Sequence, residues 1–272
     1  LKHPLSFVLL ILIGLASIIT VASIIFIIIY ILVNGIPNLT TDLFSLHYNS
    51  KNQSMLPSIF NTVFITFLTL LIAVPIGIFS AVYLVEYAKK GSKLVKVIRV
   101  TTETLAGIPS IVFGLFGFLA FVIALGWGYS MIAGVLTLVM MVLPTIIRTT
   151  EEALLAVPNS YREGSFGLGA GKIRTIFKII VPTAIPGILS GVILAIGRIV
   201  GETAALIYTS GTVAETATSL TDSARTLSVH LYCLLSEGLF TNQAYATAVI
   251  LLLLVVGINA LSNFIAKKLA KK

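Results

Sequence analysis

Residues 5–33 read LSFVLLILIGLASIITVASIIFIIIYILV, a run of 29 residues without a charged side chain. A helix needs about 20 apolar residues to cross the hydrocarbon core of a bilayer, which is roughly 30 Å thick. The run is too long for the core of a signal peptide, and no convincing cleavage site follows it. It therefore predicts a retained transmembrane helix near the start of the chain.

The composition extends this conclusion to the whole chain. Its 272 residues are 57% hydrophobic and only 10% charged, with a mean hydropathy of +1.07. A soluble domain averages about 25% charged residues, so this chain lacks the polar surface to cover itself in water, and lipid removes that cost. The composition predicts an integral membrane protein rather than a soluble enzyme. The single cysteine, Cys233, excludes an intrachain disulfide.

Six apolar segments predict six transmembrane helices and an all-α membrane fold. Their approximate cores are residues 5–33, 59–85, 105–126, 131–147, 184–208 and 244–265. The fourth segment is short and is expected to extend toward Trp127. We expect residues 1–58 to form an N-terminal transmembrane helix with an outer loop, and residues 59–272 to form the main transmembrane core.

The basic residues set the orientation, because cytoplasmic loops carry an excess of Lys and Arg. If the N-terminus is cytoplasmic, the cytoplasmic pieces hold 15 of the 18 Lys and Arg residues. These are Lys2, Lys89, Lys90, Lys93, Lys96, Arg99, Arg148, Arg162, Lys172, Arg174, Lys178, Lys267, Lys268, Lys271 and Lys272. We therefore expect both termini on the cytoplasmic side of a prokaryotic plasma membrane. The outer loops are residues 34–58 and 210–242, and the latter contains a candidate surface helix at residues 227–234.

The loop at residues 151–182 is the most informative part of the chain. It contains YREGSFGLGAGK at 161–172 and IRTIFKIIVP at 173–182, and is polar, charged and rich in glycine. A long ordered loop between two spans usually contacts a partner. A Walker A motif is excluded, because Phe166 stands where that motif has glycine and Ile173 where it has Ser or Thr. The chain is therefore not expected to bind ATP through this motif.

This loop resembles the signature of ABC-importer permeases: Glu-Ala-Ala, three residues, Gly, nine residues, Ile, one residue, Leu-Pro. Glu163, Gly169, Ile179 and Pro182 fall at those spacings, while Gly164, Ser165 and Val181 replace the two alanines and the leucine. The resemblance implies a coupling helix that docks into a groove of an ATPase subunit, and a type I importer (MetI-like) fold. The expected coupling residues are Glu163, Gly164, Ser165, Gly169, Ala170 and Pro182.

The fifth segment contains two charged residues, Arg198 and Glu202. An arginine at mid-membrane costs roughly 2.5–3.5 kcal/mol on insertion scales, and a glutamate four residues on can pair with it along a helix. The face of the predicted helix that carries these two charges also carries a stripe of small residues. The opposite face, with Ile196, Ile199 and Val200, suits lipid. Arg198 is a candidate to help an anion cross; the alternative is a structural ion pair that fixes helix packing.

A wider resemblance, to the PstA-type permeases of phosphate importers, rests on three stretches. They are GIPSIVFGLFG at 107–117, YREGSFGLGA at 161–170 and GRIVGETA at 197–204. The resemblance implies a heterodimer with a homologous second permease subunit, two ATP-binding subunits and an external phosphate-binding protein at the outer loops. Alternatives are a permease for another oxyanion or the sister phosphate permease subunit.

The pathway candidates are Arg198, Glu202, Thr203 and Glu103. For Glu103, a position in solvent at the cytoplasmic end of the third span is an equally good interpretation. No catalytic constellation, cofactor, metal site or nucleic-acid partner is expected, since basic residues are not interleaved with aromatic ones. A secondary transporter or channel subunit is the alternative from a different class, and an associated ATPase would distinguish the two.

Overall fold

The computed structural model describes residues 4–89 and 91–270 of the chain. Lys2, Lys90, Lys271 and Lys272, which entered the charge argument, lie outside the described residues. The described part contains eleven α-helices. They are α1 (Pro4–Gly35), α2 (Leu56–Val82), α3 (Lys93–Ala106), α4 (Ser110–Gly117), α5 (Met131–Leu155), α6 (Asn159–Gly167), α7 (Lys172–Thr175), α8 (Val181–Val200), α9 (Ala204–Thr209), α10 (Leu227–Glu237) and α11 (Thr241–Ala270).

Short π-helical turns extend three of these helices. Tyr83–Tyr87 continues α2, Phe118–Ala124 continues α4, and Ile176–Ile180 joins α7 to α8. Five of the resulting helices are long and apolar enough to cross a membrane, and a sixth span results if the bent pair α3–α4 is taken as one. The all-α architecture with six spans is therefore confirmed.

The boundaries of three spans differ from the prediction. In place of a straight span at residues 105–126, α3 and α4 meet at an angle of 103°. The chain turns at residues 107–109, where Pro109 cannot donate a backbone hydrogen bond. The fourth span extends toward Leu155 and not toward Trp127, because α5 begins at Met131. The fifth is interrupted at residues 201–203, between α8 and α9.

Small residues set the packing of the central helices α2, α5 and α8. A Cβ atom added to Gly77 of α2 would lie 2.5 Å from Ile146 of α5. On α8, a Cβ added to Gly191 would lie 2.7 Å from the Cβ of Thr149 of α5. Helices in lipid associate through close contacts of this kind. The core of the bundle therefore lies along α5.

The outer helices α1 and α11 pack at the side of this core. Helix α11 contacts α8, and α1 contacts α11. A Cβ added to Gly35 at the end of α1 would lie 2.5 Å from the carbonyl oxygen of Tyr245. None of the most apolar part of α1 is buried within the chain.

The helix expected at residues 227–234 is present as α10, but its position on a membrane surface is wrong. Its first turn is buried within the chain, with Leu227, Val229 and His230 each at 0% exposure. The backbone N–H of Leu227 donates to Thr62 Oγ1 of α2 at 2.8 Å. Helix α10 is thus packed between α2 and α11, where it closes this end of the bundle.

Candidate functional site

The break between α8 and α9 is the first candidate site. Glu202 lies in the break with only 8% of its surface exposed. Its Oε1 accepts a hydrogen bond from the backbone N–H of Ala205 at 3.0 Å, and its backbone carbonyl accepts one from Ser228 Oγ of α10 at 2.6 Å. Broken helices at membrane depth occur where backbone groups find protein partners or line a cavity. The buried carboxylate therefore caps the start of α9.

The expected ion pair between Arg198 and Glu202 is not formed. The described residues contain three ion pairs, and this one is not among them. The physical reason is that α8 ends at Val200, so the two residues no longer lie on one helix. Arg198 lies in the last turn of α8 and Glu202 precedes α9, where the helix dipoles favour a positive and a negative charge respectively. Each charge is stabilised by a helix end.

The small-residue stripe of α8 makes the close contacts expected of it. Gly191 abuts Thr149, and Ala195 is buried. Beyond the break, a Cβ added to Gly114 of α4 would lie 2.7 Å from the Cα of Ala205. The lipid-facing side was assigned incorrectly, however: Ile196, Ile199 and Val200 are 5%, 2% and 1% exposed. Helix α8 is covered by α5 on one side and by α2 and α11 on others.

Thr203 and Glu103 differ in their relation to the break. Thr203 lies within it, and its Oγ1 is 3.4 Å from the carbonyl oxygen of Gly201. Glu103 is exposed on α3, in a charged pocket that also contains Arg148 of α5. That level of α5 faces Gly191, and the nine helical steps from Gly191 to the end of α8 at Val200 span about 13.5 Å, with Glu202 beyond them. The structure therefore does not bring Glu103 to the break.

The second candidate site is the loop that contains α6. Glu163 and Gly164 are exposed on α6, and a Cβ added to Gly164 would meet no atom within 4 Å. Ser165 is buried instead, with its Oγ 2.8 Å from Thr175 Oγ1. One face of α6 is thus open and small, as a helix that enters a partner's groove requires, and the other is fixed to α7.

The chain leaves α6 through a tight turn. Gly169 has a φ of 81°, a conformation that glycine adopts without steric cost. The N–H of Ala170 donates to the Ser165 carbonyl at 3.1 Å, which closes the turn. Pro182 is exposed at the start of α8, directly after the π turn Ile176–Ile180.

Two features of this loop were not predicted from the sequence. Large apolar side chains are exposed around the turn, with Leu168 at 91%, Ile173 at 67% and Phe166 at 48%. Exposed apolar groups clustered in this way are typical of interaction sites. In addition, Arg162 of α6 forms an ion pair with Glu86 at 2.7 Å, although 76 residues separate the two in sequence.

A polar cluster holds the loops at the opposite end of the bundle. Asn61 of α2 is 1% exposed, and its Nδ2 donates to the carbonyls of Glu215 at 3.0 Å and Arg225 at 3.2 Å. Its Oδ1 accepts from the N–H of Ala217 at 3.1 Å. A buried amide satisfied in this way fixes the long loop that follows α9.

His230 of α10 joins both loops at the same end. Arg225 Nη1 is 3.1 Å from His230 Nδ1, and the ring of Tyr48, from the first loop, stands edge-on at 6.3 Å. Burial lowers the pKa of His230 to about 4, with the nearby charge of Arg225 acting in the same direction and the backbone of Gln53 opposing both. His230 is therefore neutral at physiological pH.

A polytopic helical bundle with a broken fifth span and an exposed, glycine-rich helix between its fourth and fifth spans defines a class of membrane permeases. Residues 73–272 match the family described as the binding-protein-dependent transport system inner membrane component. The chain belongs to this family of ABC-importer permeases, and it is a multi-pass inner membrane protein.

Curated relatives include permeases named for phosphate transport. The chain is 32% identical to the probable ABC transporter permease YqgI of Bacillus subtilis over an alignment of 277 positions, gaps included. The alignment covers 95% of this chain and 94% of YqgI. It is 38% identical to the phosphate transport system permease PstA of Yersinia pestis, over 72% of this chain and 67% of that protein. It is 45% identical to PstA 1 of Mycobacterium tuberculosis over 140 residues, but that match spans only 45% of the mycobacterial protein.

Solved transporters share the fold. A chain of a bacterial alginate ABC transporter, in complex with its pentasaccharide-bound periplasmic protein, superposes with a TM-score of 0.73 over 97% of this chain and 96% of that one, at 17% identity. A chain of the MetNI methionine ABC transporter in an inward-facing conformation superposes with a TM-score of 0.61 over 79% and 94%, at 20% identity. The MetI-type fold is therefore confirmed.

Proposed function

We propose that this chain is the permease subunit of an ATP-driven importer of inorganic phosphate. The observation that carries the proposal is the 38% identity to the PstA permease of Yersinia pestis over 72% of this chain. Transport is by alternating access, and a separate ATPase supplies the energy through α6. Both termini and α6 lie in the cytoplasm, and the loops around Asn61 and His230 face the outside.

The proposed complex contains the kinds of partner that solved relatives of this fold have. A homologous second permease completes a heterodimer, and two ATP-binding subunits dock on the open face of α6. A phosphate-binding protein delivers the substrate at the outer loops. Two features of α6 and its turn support docking. Gly164 leaves room for the close approach of a partner, and the apolar side chains of Leu168 and Phe166 are exposed.

Arg198 is proposed as the residue that offsets the charge of the crossing anion. An oxyanion that leaves water loses its hydration and needs a compensating positive group. Arginine stays charged when buried, and its planar guanidinium presents a fork of donors. Arg198 is free of an ion pair with Glu202, whose carboxylate is engaged with the backbone of Ala205. Thr203 is proposed as a neutral contributor beside it.

The test is uptake of labelled phosphate by the complex reconstituted in vesicles. Arg198→Lys is expected to retain part of the uptake, because it keeps the charge but loses the fork, and Arg198→Gln is expected to lose nearly all of it. Both variants are expected to stay bound to the ATPase. Lys268→Gln, which removes one positive charge from the end of α11, is the matched control and is expected to transport normally.

Four results would contradict the proposal. Wild-type uptake by assembled Arg198→Gln complexes would remove Arg198 from the pathway. Failure of that variant to assemble would favour a structural role for the arginine. Uptake that needs no ATP would favour a secondary transporter or channel. Uptake of labelled sulfate without uptake of labelled phosphate would assign another oxyanion.

A further inference from the structure

Arg162 of α6 is the centre of a dense hydrogen-bond network. Its Nε and Nη2 donate to Glu86 Oε1 at 3.0 and 2.7 Å. The same guanidinium donates to the backbone carbonyls of Val157 at 2.9 Å and Leu154 at 3.1 Å. The Arg162 and Glu86 side chains are only 16% and 10% exposed. Arg162 thus satisfies carbonyls that the end of α5 leaves without helical partners.

This network joins three parts of the molecule. Glu86 belongs to the π turn that ends α2, while Leu154 and Val157 mark the end of α5. A lysine could neutralise Glu86, but its compact ammonium lacks the planar fork that reaches several acceptors in fixed directions. The next residue of the turn, Tyr87, has the ammonium of Lys172 over its ring at 4.6 Å from the centroid. Arg162 in α6 and Lys172 at the start of α7 therefore both contact the π turn that ends α2.

Apart from this network, α6 has few attachments to the spans. Ser165 is the buried residue among those described in α6, and its partner Thr175 belongs to the same loop. Glu163, Gly164 and Phe166 are exposed. Movement of α6 can therefore reach α2 through the guanidinium of Arg162, which also ties α6 to the end of α5 beside the three-residue chain connection at 156–158.

We propose that the Arg162–Glu86 pair is the joint that passes movement of α6 to the ends of α2 and α5, which makes Arg162 a positioning residue for energy coupling. The inference rests on the proposed function, in which α6 receives the ATPase. Movement of the end of α5 can reach α8, because the two helices pack closely at Thr149 and Gly191. The break at residues 201–203, after α8, is a place where the chain can bend.

The experiment measures phosphate transported per ATP hydrolysed by the full complex in vesicles. Arg162→Lys and Glu86→Gln are expected to assemble with the ATPase and to keep at least half of the ATP hydrolysis, while transport per ATP falls threefold or more. The matched control is the pair Arg148–Glu152, also joined at 3.0 Å but 55% and 64% exposed. Glu152→Gln is expected to leave the ratio unchanged. Exposed pairs of this kind contribute little.

A second measurement follows the joint directly. Spin labels at Ser160 of α6 and Tyr83 of the π turn, both exposed, report the distance between the two elements, with Cys233 replaced by serine. In the wild-type background the distance distribution is expected to stay narrow with and without ATP. In Glu86→Gln it is expected to broaden, because α6 then moves separately from α2.

The outcomes separate this inference from the function on which it rests. If no ATPase binds the wild-type chain, the proposed function fails. If the ATPase binds but transport and hydrolysis fall in parallel in both variants, the pair is only an anchor and the joint is overturned. An unchanged ratio overturns it as well. Should the variants fail to assemble, the spin-labelled permease alone in nanodiscs decides, and a distribution unaltered by Glu86→Gln overturns the proposal.

Discussion

Acidification should destabilise this protein through one buried histidine, His230. Arg225 can only donate, so Nδ1 of His230 is the acceptor of their hydrogen bond and the neutral ring carries its proton on Nε2. Protonation would add a hydrogen to Nδ1 that faces the arginine and would put two positive charges 3.1 Å apart. Nε2 is buried and makes no well-formed hydrogen bond among the described residues, and the nearby Gln53 backbone only partly offsets the cost of charging the ring. The charged ring is therefore poorly accommodated.

The magnitude follows from the shift in pKa. The pKa of His230 is lowered from 6.5 to about 4 in the folded protein, and each unit corresponds to about 1.36 kcal/mol. The lowered pKa means that the folded state resists protonation, so the full stability is present above pH 6.5 and is lost progressively as the pH falls toward 4. The loss is about 1.4 kcal/mol at pH 5.5 and approaches about 3.4 kcal/mol below pH 4.

The assay is thermal unfolding in detergent at pH 7.5 and 5.5, compared between variants. His230→Asn retains an acceptor near the position of Nδ1 and cannot be protonated in this range, so its acid-induced loss of stability should be smaller by about 1.4 kcal/mol. His47→Asn is the matched control, because His47 is exposed, and its acid response should equal that of the wild type. An identical acid response in wild type and His230→Asn would refute the reasoning.

Two further predictions concern the same end of the bundle and the orientation of the chain. Asn61→Ala leaves two carbonyls and one N–H of the long loop unsatisfied, which should cost roughly 2–4 kcal/mol of unfolding free energy; a loss below about 1 kcal/mol in thermal unfolding would contradict the role given to this amide. In a background without Cys233, cysteines at Lys93 and Gly171 should be protected from an impermeant thiol reagent added outside, and those at Lys51 and Asp222 should react. The reverse pattern of labelling would show that the orientation is inverted.

The sequence predicted which segments enter the membrane, but not how two of them are interrupted. Hydropathy continues through residues 107–109 and 201–203, so window averages indicate unbroken spans. Pro109 removes a backbone donor at the turn, but the 103° angle also reflects packing of α3 against α5, where Arg99 forms an ion pair with Glu151. The second break is held by a local bond from the Ala205 N–H to the Glu202 carboxylate and by a long-range bond from Ser228 Oγ to the Glu202 carbonyl. No local pattern shows the second of these contacts.

The candidate sites were predictable to different degrees. The turn at Gly169 lies within one loop, where a local pattern is informative. Ser165 was expected on the docking surface, but it is buried against Thr175, a contact that spacing alone does not show. The contact between Arg162 and Glu86 joins residues 76 positions apart, and no local pattern could indicate it. The pairing of Arg198 with Glu202 failed for a related reason, since spacing alone does not reveal where a helix stops.

The peripheral position of α1 has a consequence for how this chain can evolve. Helix α1 precedes the residues that match the family, and its apolar surface is not buried within the chain. Lipid tails accept any apolar side chain of similar length, so exchange among leucine, isoleucine and valine there is nearly neutral. Selection should act instead on the end of α1, where Gly35 admits α11 closely and Tyr30 lies 3.3 Å from the hydroxyl of Tyr245. Where this surface meets lipid, the first span should therefore vary in sequence while its last turns stay fixed.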